Sequence, residues 1–224
     1  MQYKIMYQPS YSLLELQLDP SESVLAESDA MVSMSPNIAM ETGAKGGVWG
    51  ALKRAVGGES MFQNTFTAQN GSGILTLSPT LVGDIAVREM QGESLYVQSG
   101  SFLASSPSIE LDTKWGGART FFSSEGLFVL KATGVGLLFL SSYGAVHAVT
   151  LGPGQQLVMD TGHMVAFDAT MGYHVRMIGG LKQTLFSGEG LVVDLTGPGT
   201  IYMQTRNFSS FVRHLAARLP EKKN

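Results

Sequence analysis

LYVQSGSFLASSP, residues 95–107, is the stretch on which the fold turns. Two short apolar runs flank a Ser-Gly-Ser turn, and Pro107 closes the second run. Runs of this length, rich in branched and aromatic residues and bounded by turn formers, predict two successive β-strands. The same design stands at 24–36 as VLAESDAMVSMSP and at 157–169 as LVMDTGHMVAFDA. One chain therefore writes a strand–turn–strand sentence three times.

Other markers keep the same beat. Gly-x-Gly occurs at Gly71/Gly73, Gly134/Gly136 and Gly197/Gly199, with 63 residues between successive copies (134 − 71 and 197 − 134), and each copy leads into an apolar run, ILTL, LLFL or TIYM. A Gly-Gly pair stands at Gly46-Gly47, Gly116-Gly117 and Gly179-Gly180. Agreement among several markers predicts three tandem repeats, with an insertion in the first. The expected boundaries are 1–83, 84–146 and 147–206, within a single all-β domain of three quasi-equivalent units. A single domain with internal pseudo-threefold symmetry follows more naturally than an open solenoid, which would need distinct polar caps.

FSSEGL (122–127) and FSGEGL (186–191) then read as copies of one turn. The first repeat has MFQNTF at the matching place, without an acid. Glu125 and Glu189 are therefore expected to belong to turns; as a catalytic pair both carboxyls would have to converge on one bond.

Two segments leave the β pattern. GGVWGALKRAVGG (46–58) sets Val48, Trp49, Leu52 and Val56 at helical spacing, with Lys53 and Arg54 off that stripe. It predicts a short inserted helix, either a lid on the β-core or a surface for a partner or membrane; Trp49, Leu52, Lys53 and Arg54 are the candidate interaction residues. The tail at 207–219 places Phe208, Phe211, Val212, Leu215 and Leu219 on one helical face. Asn207 or Ser209 can cap its start, and Pro220 ends it.

Composition narrows the function classes. The 224 residues carry a net charge of −3, 44% hydrophobic and 15% charged residues, which describes a globular chain with no global attraction for nucleic acid or anionic lipid. With no cysteine, disulfides, thiol catalysis and cysteine-based metal sites are excluded. No signal peptide or long apolar run is visible, so a cytoplasmic protein is the expectation.

GGVWGALKRAVGGESMFQNTFTA (46–68), the two FS-x-EGL copies and GPGTIYMQTRN (197–207) resemble the AIM24 family. The resemblance runs from the first strand to Asn207. It implies a fold similar to that of the trp RNA-binding attenuation protein: TRAP-like, a double-stranded β-helix or β-sandwich arrangement, in a ring-like or trimeric assembly. Mitochondrial members are linked by name to mitochondrial biogenesis and inner-membrane organisation, but this chain shows no transit peptide. The resemblance supplies no catalytic residues.

Direct searches for chemistry find only fragments. A cupin-like metal site wants His-x-His on one strand, and His147, His163, His174 and His214 form no such pair. His163 and His174 could meet only across a hairpin, where Asp160 or Asp168 would complete a zinc or iron set. GGVWGALKRAVGG lacks the Gly-Lys-Ser/Thr ending of a phosphate loop, and no Gly-x-Ser-x-Gly elbow occurs. Arg88, Lys114, Arg119, Lys131, Arg176 and Lys182 are scattered without the aromatic interleaving that single-stranded RNA binding uses. The expectation is a non-enzymatic homo-oligomer, a trimer or larger, acting as a scaffold or interaction protein without a cofactor and with a protein or membrane-associated partner. A small-ligand or metal-binding cupin-like barrel and an RNA-binding module are the alternatives.

Overall fold

Period-two alternation sets the first strands. In the computed structural model, which describes residues 1–42, 63–112, 129–178 and 191–219, β1 (Gln2–Met6) pairs antiparallel with β2 (Leu13–Leu18). Leu14, Leu16 and Leu18 of β2 are fully buried, while the residues between them face outward. β3 (Ser23–Glu27) buries Val24 and Ala26 in the same manner. β4 (Met31–Met34), β5 (Ile38–Thr42), β6 (Gln63–Ala68) and β7 (Gly73–Leu77) follow.

The middle of the chain uses longer strands. β8 (Ile85–Gln98) runs without a break, then a 3-10 turn (Ser99–Ser101) leads into β9 (Phe102–Ser105), β10 (Ile109–Asp112) and β11 (Val129–Ser141). The last stretch holds β12 (Val146–Leu151), β13 (Gln156–Asp160), a 3-10 turn (Thr161–His163), β14 (Met164–Asp168), β15 (Gly172–Met177), β16 (Leu191–Thr196) and β17 (Gly199–Gln204). The strands form three open antiparallel sheets, in the orders β1-β2-β7-β4, β12-β17-β14-β8-β11-β9-β3-β6-β5 with β10 on β11, and β13-β16-β15.

The same four pairings occur in each stretch. β2–β7, β3–β6, β4–β7 and β5–β6 hold the first together. The two halves of β8 and of β11 pair with each other, β9 with the second half of β11, and β10 with its first half. In the third stretch the pairs are β12–β17, β13–β16, β14–β17 and β15–β16. Even an irregularity recurs: β4, β9 and β14 each slip register at one residue, Val32, Leu103 and Val165 respectively. Gly134 sits where β11 bends between its halves. Its φ of +126° and the Ser108 carbonyl, which stands where a Cβ would go, leave no room for a side chain.

Two further pairings join the stretches. β3 pairs with β9, and β8 with β14, both antiparallel. Side chains cross with them: Leu103, Ala104 and Phe139 enter the core built around Leu14, Val24, Phe66 and Leu75, while Val165 and Ala166 enter the one around Met90, Val97 and Leu130. A third core gathers Met159, Met164, Phe167, Val193 and Ile201 with Tyr96 and Val129. Buried Asp84 clasps the first connection. It accepts hydrogen bonds from Ser12 Oγ (2.8 Å), Gln8 Nε2 (3.0 Å) and its neighbour's amide, Ile85 N (2.8 Å). Arg88 spans the second, donating to Asp168 at 3.2 Å and to the Tyr202 hydroxyl at 3.3 Å.

The C-terminal segment forms α1 (Phe208–Ala216), shorter than the 207–219 expected from the apolar stripe. Asn207 is the residue that caps it, accepting from Ser210 N at 3.0 Å. The expected helix at 46–58, with Trp49, Leu52, Lys53 and Arg54, lies outside the described residues, as do Glu125, Glu189 and the three Gly-Gly pairs.

Candidate functional site

β3, β8 and β13 end on comparable polar residues that open the turns after them: Glu27, Gln98 and Asp160 close the runs VLAE, LYVQ and LVMD. Glu27, Gln98, Gly100 and Gly162 from these turns line one cavity of about 410 Å³. The connections leaving β7, β11 and β17 complete it with Leu81, Ser142, Tyr143, Gln204 and Asn207. Each third of the chain thus brings a turn and an exit to the same place.

Hydrogen bonds fix most of these polar groups. Gln204 accepts from Tyr143 N at 2.9 Å and donates from Nε2 to the Gly162 carbonyl at 2.9 Å. Gln98 Oε1 accepts from Ser101 Oγ at 3.0 Å. Asp160 accepts from Gly162 N at 2.7 Å, and the Asn207 amide reaches the same oxygen at 3.4 Å. Tyr143 also carries the helix: its ring meets Phe208 at 6.3 Å and Phe211 at 6.0 Å between centroids. Glu27 differs from the rest. Burial, and then the nearby Asp29 carboxylate, push its carboxyl from the ordinary 4.5 up to about 7. A carboxyl raised this far can offer the cavity a hydrogen-bond donor when protonated and an anion when ionised, from one atom set.

The residues singled out for metal binding do not gather. Asp160 and His163 flank one 3-10 turn, where His163 Nδ1 lies 2.7 Å from the Gln204 carbonyl. A carbonyl only accepts, so Nδ1 carries the proton. His174 lies on β15, in a different sheet from β14, so no hairpin joins the two imidazoles. It stands opposite Asp194, whose carboxylate is held by Arg176 at 2.7 and 3.0 Å. Among the described residues no three histidine, aspartate or glutamate side chains form a metal-sized group. The sequence reading missed Glu27, Gln98 and Gln204. Its available signal was the polar residue that ends each of the three matched runs.

Among the described residues no helix is long and apolar enough to cross a membrane. Comparison with known proteins adds relatives without an assigned activity. An uncharacterized protein of Streptococcus pyogenes serotype M6 is 30% identical over 233 residues, covering 100% of this chain and 93% of that protein. The crystal structure of protein SPYM3_0169 from Streptococcus pyogenes is similar with a TM-score of 0.81 at 30% identity, over 97% of this chain and 99% of that one. Residues 3–206 match the family described as "Mitochondrial biogenesis AIM24". By that match and by the pattern of strands that carries it, the chain belongs to the AIM24 family.

Proposed function

We propose that the protein is a non-enzymatic, homo-oligomeric scaffold, built from three quasi-equivalent β-units in a TRAP-like arrangement. The recurrence of four pairings and one bulge supports the three-unit reading. The observation that carries the scaffold role is the surface of α1. Phe208, Phe211, Val212 and Leu215, with Leu219 just beyond, are between 43 and 69% exposed on one face of a nine-residue helix that buries no residue. A contiguous apolar face on a capped helix is the mark of an interaction surface. Light scattering at micromolar concentration tests this: a defined oligomer is expected, and a monomer overturns it. Phe211→Ser with Leu215→Ser then separates a seam, whose loss lowers the mass, from a surface that faces another protein.

The cavity supports a second reading, a site for a small polar ligand read by Glu27, Gln98 and Gln204. Its chemistry suits a ligand with a carbonyl or amine opposite Glu27. Glu27→Leu would abolish any thermal shift produced by such a compound while leaving the oligomer intact.

A further inference from the structure

β9 and β14 are central strands, paired on both sides, and β4 is not. On one side β9 meets β11 and β14 meets β17; on the other β9 meets β3 and β14 meets β8. Among the described residues β4 meets β7 and has no second neighbour, and β13 meets β16 and likewise ends its sheet. By position, β13 corresponds to β3 and to the second half of β8. Among the described residues, strand pairing and shared cores join the first stretch to the second and the second to the third, and none joins the third to the first.

The two existing junctions share one register. Leu25 pairs with Ser105 and Ala26 with Ala104; Tyr96 pairs with Phe167 and Val97 with Ala166. Ser105 and Phe167 are each the second residue after the bulge, and Met34 holds that place in β4. Val158 stands in β13 where Leu25 and Tyr96 stand in their strands. The bulged residues Leu103 and Val165 are both 0% exposed because each plugs the core of the preceding stretch, whereas Val32 is 55% exposed. Met34 is 38% and Val158 53% exposed. Neither edge has the usual protection: Met31-Val32-Ser33-Met34 carries no charge or proline, and β13 has a single acid at its end.

We propose that β4 and β13 are the two halves of a third strand junction, completed by a second copy of this chain. β4 of one copy lies antiparallel to β13 of the other, with Met34 opposite Val158 and Ser33 opposite Met159, and Val32 inserts into the core around Met159 and Val193. The proposal rests on the homo-oligomeric reading and adds its register. Continuity with the two internal junctions decides for a second copy, since β13 of this chain is the counterpart of the strands that cover β9 and β14.

The chain lacks cysteine, so a disulfide reads the junction without background. Residues directly opposite on antiparallel strands place their Cα atoms within disulfide reach. Met34→Cys with Val158→Cys is oxidised under native conditions and run on a non-reducing gel beside Leu25→Cys with Ser105→Cys, which must close within one chain. Bands at multiples of the chain mass, broken by reductant, are the expected result. A product at single-chain mass without free thiols overturns the proposal and shows the chain closing on itself. Thiols left free in an oligomeric protein overturn the register while leaving the scaffold reading standing; a monomeric wild type removes both. As a second variant, Val32→Lys alters only an exposed side chain and is expected to raise the concentration of half-dissociation about tenfold or more. An unchanged midpoint counts against the junction.

Discussion

Leu103 and Val32 occupy the same place in two strands built alike. Each is the extra residue of a one-residue bulge, in β9 and β4, and each follows a strand that ends on Gln98 or Glu27. Leu103 is sealed in a core beside Phe66 and Phe139, and Val32 faces water. The difference lies in the neighbour: β3 covers the open side of β9, and nothing described covers β4. Burial at a strand edge is a property of the pair of strands, and a single strand's composition does not settle it.

The largest expected effect breaks the buried side of this comparison. Leu103→Ala removes a fully buried side chain and leaves a hole, so chemical denaturation should show a loss of about 2–5 kcal/mol. Val32→Ala serves as its mirror. It should cost less than about 0.5 kcal/mol in an isolated chain, as exposed substitutions do. A cost that approaches that of Val165→Ala, the same change at its fully buried counterpart in β14, and grows with protein concentration, would show β4 covered in solution.

Asp84→Ala comes next. It strips Ser12, Gln8 and Ile85 N of a shared buried acceptor, at about 2–4 kcal/mol by the same denaturation measurement. If the loss matched a surface substitution, the connection between the first two stretches would not depend on this carboxylate, and the strand pairing alone would account for it.

A smaller effect depends on pH. Glu27 is held at about 7 in the folded chain against an ordinary 4.5, so the folded state retains a proton that the unfolded state has released. Stability should therefore fall as pH rises from about 4.5 to about 7 and level off above that, by about 1–3 kcal/mol in total. Glu27→Gln should flatten this slope and stabilise the protein at pH 8. A profile identical to wild type would mean that the carboxyl is well solvated in the free protein.

These contrasts also show what a reader of the sequence can and cannot see. The apolar runs at 24–36, 95–107 and 157–169 and the Gly-x-Gly pairs state the strands openly, because side-chain alternation and tight turns are local properties. Gly134 falls at the bend inside β11, Gly197 between β16 and β17, and Gly199 at the first residue of β17. The amphipathic tail and its Asn207 cap were equally local. The cavity was not. Glu27 and Gln204 come from opposite ends of the chain and share a wall only after three turns have been brought together. Nor does the sequence separate Val32 from Val165, the same residue type in matched runs, because the neighbour that covers one of them is remote in the chain.

The length of β8 and β11 carries one more consequence. Where the outer stretches break their strands, between β2 and β3 or between β12 and β13, the middle one runs 14 and 13 residues through the same point. At the usual rise each follows a continuous path of ~45 Å along the backbone. The two lie side by side along almost their whole length, with a single slip near Gly134. The unbroken pair ties both halves of the middle third together across the bend at Gly134, so deformation of the molecule should concentrate in the jointed outer thirds. Amide hydrogen exchange should find its slowest protons along this spine, and a load applied at either flank would reach the other through it.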